Sequence, residues 1–121
     1  LPAMIKASRI QDKVAGVGFD WEAPEQVWEK VQEELLEFQE EVTKGKQDRM
    51  EAEFGDLLFS MINYARFLKI NPENALERTN QKFSKRFQYI ENAAKTSGKE
   101  LADMSLQEME IYWKQSKAFF K

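Results

Sequence analysis

The stretch from Phe54 to Leu68, FGDLLFSMINYARFL, most constrains what this chain can fold into. At about 100° per residue, Phe54, Leu57, Leu58, Phe59, Met61, Ile62, Tyr64, Ala65, Phe67 and Leu68 cover nearly the whole circumference of a helix. Such a segment needs neighbours on most sides, so it is expected to be the central helix of a helical assembly. The polar residues between Glu53 and Asn63 fall in one arc. Glu53, Asp56, Ser60 and Asn63 lie within about 80° of one another, with no lysine or arginine among them. A solvated face mixes both signs; this arc reads as a buried acidic seam.

The rest of the chain is helical as well. Three prolines and five glycines interrupt it, and they fall where helices begin or end. The pattern predicts a first helix from about Pro2 to Val14, then a reversal in AGVGFDWEA, with Asp20 placed to cap the next turn. A second helix begins near Pro24 and stops by Gly45, and a third occupies Asp48 to Leu68. Asn71 and Pro72 start a long fourth helix that continues to about Lys95, with Leu76, Phe83, Phe87 and Ile90 at core spacing. Residues 96–104 are expected to be a loose connection, and Ser105-x-x-Glu108 is a capping box for a fifth helix. The fold class expected is all-α, a four- to five-helix bundle forming a single domain over residues 1–121. An all-apolar third helix exceeds what four short neighbours cover, which points to dimerisation through the central helices.

Composition removes whole classes of chemistry. The chain has no histidine and no cysteine, so histidine-based triads, thiolate nucleophiles, His-Glu-His zinc sites and disulfides are absent. Catalysis has to use carboxylates, lysine, arginine, hydroxyls or a bound hard metal ion. A net charge of −3 does not suggest a nucleic-acid polymer as partner. No apolar run approaches the roughly 20 residues of a membrane span, and no signal-peptide pattern is present, so a cytoplasmic location is expected. A start at Leu1 rather than methionine is expected of a piece of a longer protein.

The second helix carries the other half of the acidic pattern. EELLEFQEEV, Glu33 to Val42, holds five glutamates and no lysine or arginine. Val27, Val31, Leu35, Phe38 and Val42 form its apolar stripe; Glu33 and Glu40 project away from it, whereas Glu34 lies within about 40° of Phe38, with Glu41 and Glu37 on the same flank. Glu34 and Glu37 are three residues apart, as are Glu53 and Asp56, so each pair shares one side of its helix. The short connection at Gly45 makes the two helices antiparallel neighbours, and the pairs can then face one another. Four carboxylates without a base repel, and the economical partner is a divalent ion; all-oxygen ligation selects Mg²⁺ or Mn²⁺ over zinc. The bland alternative is a solvated acidic helix beside an ordinary core helix.

Glu33-Glu34-x-x-Glu37 followed by Glu53-x-x-Asp56 resembles the paired motif of the all-α nucleoside triphosphate pyrophosphohydrolases of the MazG family. GFDW at Gly18–Trp21, NQKFSKRF at Asn80–Phe87 and WKQSK at Trp113–Lys117 are similar to MazG segments and stand in the same order. The likeness covers essentially the whole chain and is greatest to the C-terminal catalytic domain of two-domain bacterial MazG proteins. It implies Mg²⁺-dependent hydrolysis of a nucleoside triphosphate, NTP or dNTP, to the monophosphate and pyrophosphate. By motif position it makes Glu34, Glu37, Glu53 and Asp56 the metal ligands, with Glu33 and Glu37 the candidates for accepting a proton from water.

The resemblance also gives roles to basic and aromatic residues. It implies that Lys82 and Arg86 grip phosphate oxygens, that Trp113 and Lys117 close over them, and that Asn80 assists. Trp21 fits a stacked base and core packing equally well, and Trp113 fits an interface anchor. Lys6, Arg9 and Lys13 read mainly as solvated. The resemblance supports a homodimer or a higher assembly. Two alternatives stand beside this reading: a related enzyme specific for dUTP or a phosphoribosyl-nucleotide, and a non-catalytic helical module with a structural acidic seam.

Overall fold

Gly45 and Lys46 are all that separates two helices of 21 residues each, so these helices run antiparallel and side by side. Gly45 adopts a left-handed conformation, φ 74°, in which its amide donates to the Glu41 carbonyl and closes the helix; a side chain there would be strained. The computed structural model describes residues 1–121 and contains five α-helices and no strand. They are α1 (Ala3–Ala15), α2 (Pro24–Lys44), α3 (Gln47–Phe67), α4 (Pro72–Thr96) and α5 (Leu106–Phe119). The all-α expectation is met, with boundaries shifted by a residue or two. The chain divides into two compact units, Leu1–Glu73 and Asn74–Lys121.

In the first unit α3 packs against both α1 and α2. Val27, Val31, Leu57 and Ile62 are buried at the α2–α3 contact. Two aromatic pairs hold one antiparallel register across it: Trp28 with Tyr64, ring centres 5.3 Å apart, and Phe38 with Phe54, 5.4 Å apart. α1 is tied to α3 by Gln11, whose Nε2 donates to the Phe59 carbonyl oxygen at 3.0 Å. Asp20 Oδ1 accepts from the Trp21 amide at 2.9 Å, a local cap on the turn before α2. The same oxygen accepts from the Arg66 guanidinium, and this hydrogen bond holds the Asp20 pKa below the usual aspartate value. The start of α2 is capped by Gln26, whose Oε1 accepts from the amides of Glu22 and Ala23.

In the second unit Ile90, Ala94 and Met104 form a small core, covered by Leu101, Met109, Tyr112 and Trp113. Residues 96–104 are not loose: Leu101–Asp103 form a 3-10 turn that delivers Met104 into this core. Ser105 caps α5 as the sequence predicts, accepting from the Glu108 amide at 3.1 Å.

Phe54, Leu58, Phe59 and Met61 are 38–50% exposed, so the chain's own helices leave α3 partly uncovered, in line with its all-round apolar pattern. One expectation about burial fails. Along α4, Leu76 and Phe83 are exposed and Phe87 is 36% exposed, leaving only Ile90 of that stripe buried. A 14-residue α5 is too short to cover the 25-residue α4. Truncating Ile90 to alanine should destabilise the protein by roughly 2–4 kcal/mol in urea unfolding. A loss below about 1 kcal/mol would mean that this cluster does not hold the second unit together.

Candidate metal centre

The α2–α3 hairpin positions three carboxylates by helical spacing alone. Glu34 and Glu37 lie one turn apart on α2, and Glu53 comes from the facing side of α3. One carboxylate oxygen from each lies within 4.8 Å of the others. Glu34 is buried, with 7% of its surface exposed, because its position borders the apolar stripe headed by Val27 and Val31. An Oε2 atom of Glu34, of Glu53 and of neighbouring Glu41 is buried without any hydrogen-bond partner. Buried carboxylate oxygens left unpaired are costly, and a cation is the partner they fit. An all-oxygen donor set of this kind suits a hard divalent ion.

The electrostatics carry the same message. Repulsion from Glu34 is the main cause of a Glu37 pKa above the usual glutamate value. Glu53 is raised as well, first by desolvation and then by the charges of Asp56, Glu34 and Glu41. One base does reach the cluster. Lys30 Nζ lies 3.1 Å from Glu34 Oε1 and 3.4 Å from Glu33 Oε2, and its hydrogen bond to Glu34 raises its own pKa. Lys30 precedes the acidic run by one turn and so lies outside the pattern of that run; its i,i+4 spacing to Glu34 is the sequence signal for the pair.

The remaining sequence-derived residues take varied places. Glu33 is exposed beside Lys30, and Asp56 is exposed on α3 outside the three-carboxylate group, although its charge is felt at Glu53. Trp21 is 44% exposed and lines a pocket of the first unit. In the second unit, Arg86 Nε donates to the Phe120 carbonyl at 2.8 Å, and its guanidinium stands 5.5 Å from the Trp113 ring centre. Trp113 also packs on Phe83, ring centres 5.1 Å apart. Lys82 borders a basic pocket of about 490 Å³ with Arg78, Lys85 and Lys121, while Asn80 and Lys117 are exposed. Lys6, Arg9 and Lys13 are exposed, as expected.

Residues 22–90, which contain the whole α2–α3 hairpin, match the family described as the MazG nucleotide pyrophosphohydrolase domain. The chain belongs to the MazG family. It is 42% identical over 118 residues to a Thermotoga maritima protein named nucleoside triphosphate pyrophosphohydrolase/pyrophosphatase MazG, and 40% identical over 119 residues to an Escherichia coli K12 protein named nucleoside triphosphate pyrophosphohydrolase. Each match covers 97% of this chain and 45% of the relative, so the chain spans about half the length of these MazG proteins. A Bacillus subtilis protein, YabN, is 57% identical over 68 residues, 56% of this chain and 14% of its own length.

The raised pKa values of Glu37 and Glu53 fix a sign. A carboxyl with a raised pKa in the folded state binds its proton more tightly there than in the unfolded chain. Its stabilising contribution is present below the ordinary glutamate pKa and is lost as pH rises through the raised one. With divalent ions chelated, the Glu37→Gln/Glu53→Gln double variant should therefore exceed the parent in stability at about pH 8, and the difference should shrink toward about pH 4. Urea midpoints across that range measure it; a difference that grows on acidification would contradict the assigned repulsion.

Proposed function

We propose that this chain hydrolyses nucleoside triphosphates, NTP or dNTP, to the monophosphate and pyrophosphate, with Mg²⁺ as cofactor and Mn²⁺ able to replace it. The observation that carries this reading is the convergence of Glu34, Glu37 and Glu53, with a buried oxygen of Glu34 and of Glu53 left unpaired. The chain's likeness to proteins named for that activity supports it. Glu34, Glu37 and Glu53 would hold the ion, and Asp56, one turn beyond Glu53, would complete the set through a different rotamer of its exposed side chain. A bound divalent ion supplies charge neutralisation for the triphosphate oxygens and Lewis-acid polarisation at phosphorus.

The chain's own residues do the rest. Attack of water at the α-phosphorus breaks the bond to the bridging oxygen of the β-phosphate and releases pyrophosphate. The proton leaving that water needs a carboxylate. Glu37, inside the group, and Glu33, on its rim beside Lys30, are the two candidates. Lys82, Arg86, Trp113, Lys117 and Asn80 are assigned phosphate contacts on the family resemblance, and Trp21 a base contact. Residues 1–121 act in this reading as one catalytic domain, located in the cytoplasm. No helix is long and apolar enough to cross a membrane.

A homodimer through α2 and α3, or a higher assembly built on it, is part of the proposal. Leu35, Leu36, Phe54, Leu58 and Met61 are all more than a third exposed, and a second copy would cover them. One observation favours the rival reading of a structural seam without turnover, namely the ion pair that Lys30 already makes with Glu34.

Incubating the protein with the common NTPs and dNTPs and Mg²⁺, then resolving the products, separates the readings. Monophosphate and pyrophosphate are expected; diphosphate and phosphate, or no turnover by folded protein, would sink the proposal. Activity confined to dUTP would select the narrower alternative. Glu53→Gln should lower turnover by roughly a hundredfold or more with the helical signal intact. Retained activity would remove Glu53 from the ligand set.

A further inference from the structure

Arg78, Lys82 and Lys85 stand at positions i, i+4 and i+7 of α4, which places the three within about 60° of arc and about 10 Å of helix axis. Like charges at that spacing repel. None of the three is relieved by an ion pair, since the chain's salt bridges lie elsewhere. Glu77, the nearest acidic residue in the sequence, is turned about 100° away from Arg78 around the helix.

A stripe that only keeps a helix solvated needs no concavity. This one lines a pocket of about 490 Å³ that lies wholly within the second unit. Phe119 and Phe120, at the end of α5, line it as well, and no aspartate or glutamate side chain does. Two contacts hold that end of α5 against α4. Arg86 Nε donates to the Phe120 carbonyl at 2.8 Å, and the Phe119 ring stacks on Tyr89 with centres 5.7 Å apart. The concavity is therefore fixed by hydrogen bonding and ring packing between the two helices.

Three cations gathered in a concave site with aromatic walls, where charges are less screened than in open water, call for an anion that carries several charges close together. A linear chain of phosphoryl groups has that charge density, and a chain of two or three matches the length of the stripe. A single carboxylate or phosphate would answer only part of it. A nucleic-acid polymer is disfavoured by the confinement of the cations to one pocket and by the chain's net charge of −3.

We propose that this pocket is an oligophosphate site that needs no metal ion, in which the Arg78 guanidinium forks onto one phosphoryl group while Lys85 and Lys82 neutralise the others. Among the residues given phosphate contacts above, only Lys82 lines it; Arg86, Trp113 and Lys117 do not, and Arg78 and Lys85 have no part in that reading. The site thus goes beyond the catalytic proposal and is independent of Glu34, Glu37 and Glu53. Its phosphoryl chain can come from free oligophosphate or from the tail of a nucleotide.

Calorimetric titration of the full chain in excess EDTA with inorganic triphosphate, ATP and AMP tests the site and separates the two sources. Inorganic triphosphate should bind, and AMP, with one phosphoryl group, should bind roughly tenfold or more weakly. ATP binding no tighter than triphosphate marks a site for free oligophosphate; tighter binding of ATP marks a nucleotide tail. The Arg78→Gln/Lys85→Gln double variant alters two exposed side chains and should weaken triphosphate binding roughly tenfold or more with the helical signal intact. Glu34→Gln should leave that binding unchanged. No binding in the absence of metal, binding unmoved by the double variant, or binding lost in Glu34→Gln would overturn the proposal even if hydrolysis is observed. Metal-free binding that depends on Arg78 and Lys85, together with no hydrolysis, would instead refute the catalytic reading and leave the site standing.

Discussion

Like charges forced together by the α2–α3 hairpin are the constraint on which the rest of this structure depends. Gly45 and Lys46 leave the two helices no choice but to lie antiparallel, and the Trp28–Tyr64 and Phe38–Phe54 pairs fix how far one slides along the other. Within that register Glu34, Glu37 and Glu53 have to meet. The apolar burial of Val27, Val31, Leu57 and Ile62 opposes their repulsion, and Lys30 relieves one oxygen of Glu34. The oxygens it does not reach remain unpaired in the interior, a condition that one divalent ion corrects. A hairpin that is somewhat frustrated without metal is thereby a hairpin prepared for metal.

The same hairpin leaves apolar surface behind. Trp28, Leu36, Phe54 and Met61 are between 46% and 62% exposed, more than scattered surface hydrophobics require. Burial of that surface is non-directional and strong, whereas the carboxylate geometry is directional and local.

Much of this was legible in the residues themselves. Pro24, Gly45, Pro72 and the Ser105–Glu108 box placed helix ends to within a residue or two, because caps and breakers act locally. Helical phase alone separated Glu34, which is buried, from Glu33 and Glu40, which are not. Phase does not say what faces an arc, so the expected burial of Phe83 was not met; it depends on how many neighbours exist. Lys30 was overlooked for a different reason. A flexible side chain reaches a full turn along its helix, and a run of glutamates defines its own partners poorly at its edges. Gln11 had no sequence signal beyond a polar residue in a short amphipathic helix, and its tie between α1 and α3 is visible only in its burial and its hydrogen bond to Phe59.

The central claim is that these three carboxylates exist to hold a divalent cation, and locating Mn²⁺ by anomalous scattering in crystals of the protein tests it most directly. The account predicts an anomalous peak bounded by carboxylate oxygens of Glu34, Glu37 and Glu53. Saturating Mn²⁺ with no peak among those side chains, or with ordered manganese only elsewhere on the chain, would contradict it.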